Sequence, residues 1–340
     1  MRGFTTLLAT MILAAVGVPA FAGPDAETED WLETAAALAE ADTDATVAVD
    51  ASTEHVAPAA PVKGPPLPFH CIEGYSGGAI TPMAYFANAG ADGAIASLPS
   101  AAAIYLNMGS KKLYIFSITQ VLFNRIEFGY AYQYLDVGSL YDDVKKAGLD
   151  MGRDHVQMHH FNLRGQLLPE NSCDLPLPAI VAGIHFKYND GIEQIDKSLG
   201  GAFKGLGYER QWGIDYTLTA SKTFPKLAFG RPVILTGGLR LSNAAQTGLF
   251  GFGNEYNATF EGSVAYMPTD FLVLCYEFRG KNNPYSELAK LVDREQNWHA
   301  LSASILVNDR LTITGMYGSL GNIGNAHADC TLVVQVKYEF

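Results

Sequence analysis

The feature that most constrains this chain is a side-chain alternation with a period of two, repeated in segment after segment from about residue 100 onward. In Ile126–Leu135, Ile126, Phe128, Tyr130, Tyr132 and Tyr134 fall on one face, and Glu127, Gly129, Ala131 and Gln133 on the other. Phe161, Leu163 and Leu167 oppose His160, Asn162, Arg164 and Gln166 in the same way, and Ile214, Tyr216 and Leu218 oppose Asp215, Thr217 and Thr219. The charges Glu127, Arg164, Lys187, Asp215, Arg240, Glu261, Glu277, Arg279, Lys337 and Glu339 all keep to the non-aromatic face. Such strands either hide an apolar face in a soluble core or turn it to lipid. In lipid, an outward Arg or Lys at the midplane would cost roughly 2–4 kcal/mol, which points the charges inward.

The N-terminus favours the membrane. Arg2, the apolar run Leu7–Val16 and the small-x-small triplet Ala20-Phe21-Ala22 form a secretory signal peptide over residues 1–22. The run is shorter than the ~20 residues a spanning helix needs, and no later run is comparable. A closed barrel is the spanning solution that remains, because it pairs every backbone N–H and C=O within hydrocarbon. Aromatic residues gather near strand ends, with Tyr134, Tyr188, Tyr256 and Tyr317 toward one rim and Phe128, Tyr266, Phe271, Tyr338 and Phe340 toward the other. The expected fold is all-β, a transmembrane antiparallel barrel of about twelve strands with room for fourteen. Short turns such as Phe123–Arg125 and Asn308–Arg310 alternate with long loops such as Tyr141–Asp154 and Asp190–Gln211. Both termini then lie in the periplasm, with the long loops outside. The early segments Ala101–Met108 and Leu113–Leu122 alternate poorly.

Four regions follow. After the signal peptide, residues 23–70 form an acidic Ala/Pro-rich periplasmic tether, read as disordered, within which Thr28–Ala41 has helical spacing. Residues 71–100 are a Gly-rich pre-barrel segment that could be a plug, a cap or an extra strand, with Pro82 arguing against a central strand. Residues 101–340 are the barrel. The closing run Leu332–Phe340 alternates cleanly, and its aromatic residues Tyr338 and Phe340 resemble the signal read by the barrel assembly machinery.

A formal net charge of −12 argues against a nucleic-acid partner. The expected partners are outer-membrane lipid, lipopolysaccharide and the assembly machinery, with ions or small solutes as passengers. Four cysteines are too few for a disulfide scaffold. Cys71 and Cys173 both fall toward the periplasmic end and are the candidate pair for a disulfide. His159 and His160 are adjacent and face opposite sides, which is poor geometry for one metal. Ser302, Ser304, His159 and His299 lack any surrounding nucleophile motif, so no enzyme, cofactor or metal site is expected. The inward charges would set ion selectivity in an open lumen, making the chain a narrow pore, or would cross-brace a filled one. The alternative function is a non-conducting structural or surface-interaction barrel working through its outer loops.

At Ser76–Tyr85, Tyr216–Pro225 and Phe260–Asp270 the chain resembles a proteobacterial family known only as a domain of unknown function. That resemblance covers about residues 71–340. It implies an outer-membrane barrel, and it brings no activity or binding residues with it.

Overall fold

The structure is a computed structural model and describes residues 69–91, 93–286 and 292–340. The expected signal peptide and nearly all of the expected tether, including Thr28–Ala41, lie outside the described residues. No helix among the described residues is long and apolar enough to cross a membrane.

Twelve antiparallel strands close into a barrel. They are β1 (Ser100–Asn107), β2 (Lys112–Leu122), β3 (Ile126–Asp136), β4 (His155–Leu168), β5 (Ala179–Asp190), β6 (Trp212–Ala228), β7 (Arg231–Ala244), β8 (Phe252–Tyr266), β9 (Leu272–Arg279), β10 (Trp298–Leu306), β11 (Leu311–Ser319) and β12 (Thr331–Glu339). Each pairs with its neighbours in sequence, and β12 pairs with β1 from Leu332↔Asn107 to Glu339↔Ser100, so no barrel edge is left open. The connections 123–125, 229–230, 267–271 and 307–310 are short and share one end with the longer turn 169–178. The opposite end carries the long loops and the brief β1–β2 connection.

The period of two sets what each face meets. Phe161, Leu218, Leu239, Phe260 and Leu301 are exposed on the outer wall, whereas Arg164, Asp215, Thr217, Arg240 and Glu261 are buried within. β1 and β2 alternate poorly in sequence because both of their faces are apolar. Ala102, Ile104, Leu106, Leu113 and Ile115 are buried inside, and Phe116 and Ile118 are exposed outside.

The long loops fold back over their end of the barrel. Leu140 and Val144 on α1 (Ser139–Lys146), Ile192 and Ile195 on α2 (Ile192–Ser198) and Phe203 on α3 (Ala202–Leu206) join one buried apolar cluster with Phe250, Leu320 and Ile323. The α1 helix suits this position. It buries Leu140 and Val144 on one side, places Asp142 in its first turn, and carries Lys145 and Lys146 in its last, complementing the helix dipole at both ends.

Candidate functional site

The interior of the barrel is occupied by residues 70–88. In the half of the lumen nearer the short turns, the backbone N–H of His70 donates to Gln335 Oε1 at 3.0 Å. Gln335 Nε2 returns a bond to the His70 carbonyl at 2.7 Å. The His70 ring bridges Ser117 Oγ and Thr119 Oγ1 on β2. The chain climbs to Glu73 and doubles back through a two-residue pairing of Phe69–His70 with Ser76–Gly77. It then descends until the Ala84 N–H donates to Ser221 Oγ and the Tyr85 hydroxyl reaches Glu170. Asn88 closes the path at the short-turn end by donating to the carbonyls of Leu98 and Pro99.

The backbone groups that a loop in this position would leave unpaired find partners on the inner wall, as buried polar groups must. Gln133 donates to the Ile72 carbonyl at 2.6 Å, and Asn162 donates to the carbonyls of Glu73 and Gly74. Glu277 accepts from the N–H groups of Ala79, Ile80 and Thr81 at 2.8, 2.9 and 2.9 Å and from Thr81 Oγ1 at 2.7 Å. That approach requires Gly78, since a Cβ there would lie 2.2 Å from Glu277 Oε2. Glu127 takes the N–H and hydroxyl of Ser76 and pairs with Arg164 at 2.9 Å. Arg164 in turn donates to the carbonyls of Ser76 and Met83.

Five adjacent strands contribute a belt of alternating charge: Lys187 on β5, Asp215 on β6, Arg240 on β7, Glu261 on β8 and Arg279 on β9. Lys187 reaches Asp215 at 2.6 Å, and Arg240 reaches Asp215 and Glu261 at 3.0 Å each. Three cations face two carboxylates. The missing negative charge is Glu73, the only ionised residue that the described luminal segment brings into the barrel. Its carboxylate pairs with Lys187, with Arg279 at 2.8 Å and with Arg240 at 3.3 Å, and it accepts from the Tyr75 hydroxyl at 2.7 Å. Arg240 donates to that same hydroxyl at 2.7 Å. All six ionised groups and Tyr75 are buried.

Above the belt, Ile72 meets the loop cap. A void of only about 10 Å³ remains between Ile72, Leu106, Leu113, Thr247, Leu249 and their neighbours. Among the cap's polar groups, Lys281 lies 3.0 Å from Glu295 and over the Trp298 ring, and its burial lowers the ammonium's affinity for its proton.

Every inward charge read from the alternation lies on the inner wall. Glu127, Arg164, Lys187, Asp215, Arg240, Glu261, Glu277 and Arg279 meet the segment or one another, while Lys337 pairs with Glu339 at 2.7 Å. The Cys71–Cys173 disulfide is a correction. Both thiols are free, because Cys71 is carried into the lumen and wholly buried while Cys173 stays exposed on the β4–β5 turn. His160 points inward and His159 outward, where Tyr130 lies 2.9 Å from His159 Nδ1. His299 pairs with Tyr276, Ser302 with the Cys275 carbonyl, and Ser304 with Thr314. The sequence reading missed Glu73 and Tyr75. Glu73 stands alone as an acid in an apolar, Gly-rich stretch, and that isolation was the available signal.

A family described as "Protein of unknown function (DUF3034)" matches residues 69–335. The chain belongs to that family. The matched region begins at residue 69, so it contains the luminal segment as well as the strands. No curated protein matches. Among solved structures the chain is similar to the KdgM porin, with 10% identity and a TM-score of 0.44 over 71% of this chain and 99% of that one. The NanC porin has 8% identity and a TM-score of 0.43 over 71% and 98%. The Acinetobacter baumannii outer membrane protein Omp33 has 8% identity and a TM-score of 0.37 over 72% and 99%.

Proposed function

We propose that this chain is an outer-membrane β-barrel held closed by its own segment 70–88, so that in this conformation it passes neither ions nor small solutes. The apolar outer wall and charged inner wall support the membrane location, since a soluble barrel wets its polar face and hides the other. The observation that carries the closure is the burial of Glu73 and Tyr75 at mid-lumen among Lys187, Arg240 and Arg279. An open pore would leave those charges in water. In this reading the barrel is not an enzyme, and lipid and lipopolysaccharide cover its outer wall. The assembly machinery reads Tyr338 and Phe340, and the loops and the residues before 69 are what it offers to other molecules.

Planar-bilayer recording tests this directly, with heat-modifiable migration as the control for folding. The full mature chain is expected to be silent, and a chain lacking residues 70–88 to give stable current steps. Steps from the full chain would overturn the closed reading in favour of a narrow constitutive pore. A pore that opens when the segment withdraws is the second reading, and the unbalanced belt favours it.

A further inference from the structure

The belt on β5–β9 is a carboxylate-binding site that already contains its ligand. Lys187, Arg240 and Arg279 exceed Asp215 and Glu261 by one positive charge, and the three cations converge on a single carboxylate from three different strands. Two of the three are guanidiniums, each giving the carboxylate one charge-assisted contact, from Nη1 of Arg279 at 2.8 Å and Nη2 of Arg240 at 3.3 Å. Glu73 supplies that carboxylate from a segment that is no part of the barrel wall. We propose that Glu73 is a tethered stand-in for a soluble monocarboxylate, which takes its place on Lys187, Arg240 and Arg279 when the segment is withdrawn. The passage so uncovered serves carboxylate-bearing solutes.

The inference rests on the closed-barrel reading and adds a ligand class to it. Other groups leave the specificity with the belt. Arg164 is neutralised by Glu127, and Lys337 by Glu339. Withdrawal also frees Glu277, which loses its three N–H donors and stands two positions from Arg279 on the same face of β9. Glu277 then competes for Arg279, so an incoming carboxylate must hold Arg279 against it for the belt to keep its excess of one positive charge.

The test removes the tethered carboxylate and supplies a free one. Full-length mature protein carrying Glu73→Ala, and the same chain carrying the isosteric Glu73→Gln, are refolded into lipid. They are compared with the unsubstituted chain in acetate and in chloride at equal ionic strength. The Glu73→Ala chain is expected to unfold at a lower temperature in chloride and to regain much of the difference in millimolar acetate. The unsubstituted chain should show no preference between the two salts, and neither should Glu73→Gln, whose amide still fills the site. Adding Arg240→Met to Glu73→Ala should abolish the acetate effect. If acetate rescues Glu73→Ala no better than chloride, or if Glu73→Ala unfolds at the unsubstituted temperature, the proposal is overturned. If Glu73→Ala does not fold in chloride, folding in acetate supports it and failure in both salts overturns it. Current from the unsubstituted chain would defeat the closed-barrel reading separately, whatever acetate does.

Discussion

Two sectors of the inner wall differ in chemistry. From β5 to β9 the wall presents Lys187, Asp215, Arg240, Glu261, Glu277 and Arg279, whereas on β1 and the loop-end half of β2 it presents Ala102, Ile104, Leu106, Leu113 and Ile115, joined by Met316 on β11 and Val333 on β12. The segment between them is sided to match. Glu73 and Tyr75 meet the first sector, and Ile72 packs into the cluster that contains the second. The inside of this barrel is therefore patterned for a particular occupant. A water-filled channel would have no use for a buried Ile104 or a fully buried Leu106 on its wall.

The contrast can be broken by substitution, and the largest effect belongs to the charged sector. Arg240→Met leaves Glu73, Asp215 and Glu261 each short of a partner. It should cost about 4 kcal/mol, the scale of breaking a buried ion pair from one side. Urea unfolding in lipid vesicles measures this, and a loss no larger than that of a surface substitution would mean the belt is hydrated. Leu106→Ala in the apolar sector should cost about 3 kcal/mol by leaving a cavity under the segment. Its cost should fall steeply in a chain lacking residues 70–88, because the cavity then opens to solvent anyway. An unchanged cost would show that the two do not pack together.

The smallest effect sharpens the comparison at the loop end. Lys111, in the β1–β2 connection, is held 2.6 Å from Asn325 Oδ1, and burial lowers its ammonium to about 8 despite Asp143 and Asp136 nearby. The folded state therefore binds that proton less tightly than the unfolded state. Stability should rise as pH goes from about 8 toward 10.5, and Lys111→Met should flatten that rise. A stability that follows the same pH course in the unsubstituted chain as in Lys111→Met over this range would place Lys111 in water.

The barrel was legible because an apolar outer face and a charged inner one give the strands a period of two. Where both sides are apolar, as in β1 and β2, the signal faded although the strands formed. The inward charges were legible by parity alone, since a side chain's face follows from its position in the strand. Their partners were not, because Glu73 belongs to a stretch with no periodicity whose place depends on atoms hundreds of residues away. The disulfide reading failed for the same reason. It placed Cys71 at the rim by its position in sequence, but the chain turns into the lumen just before it.

Thiol labelling tests the seating of the segment most directly, because the protein carries its own probes. Cys71 lies inside on the segment and Cys275 inside on β9, while Cys173 and Cys330 are exposed. A maleimide applied to the folded protein in lipid, followed by peptide mass spectrometry, should modify Cys173 readily and leave Cys71 as protected as Cys275 until the barrel is unfolded. Labelling of Cys71 at the rate of Cys173 in a barrel that still migrates as folded would contradict a lumen filled by its own chain.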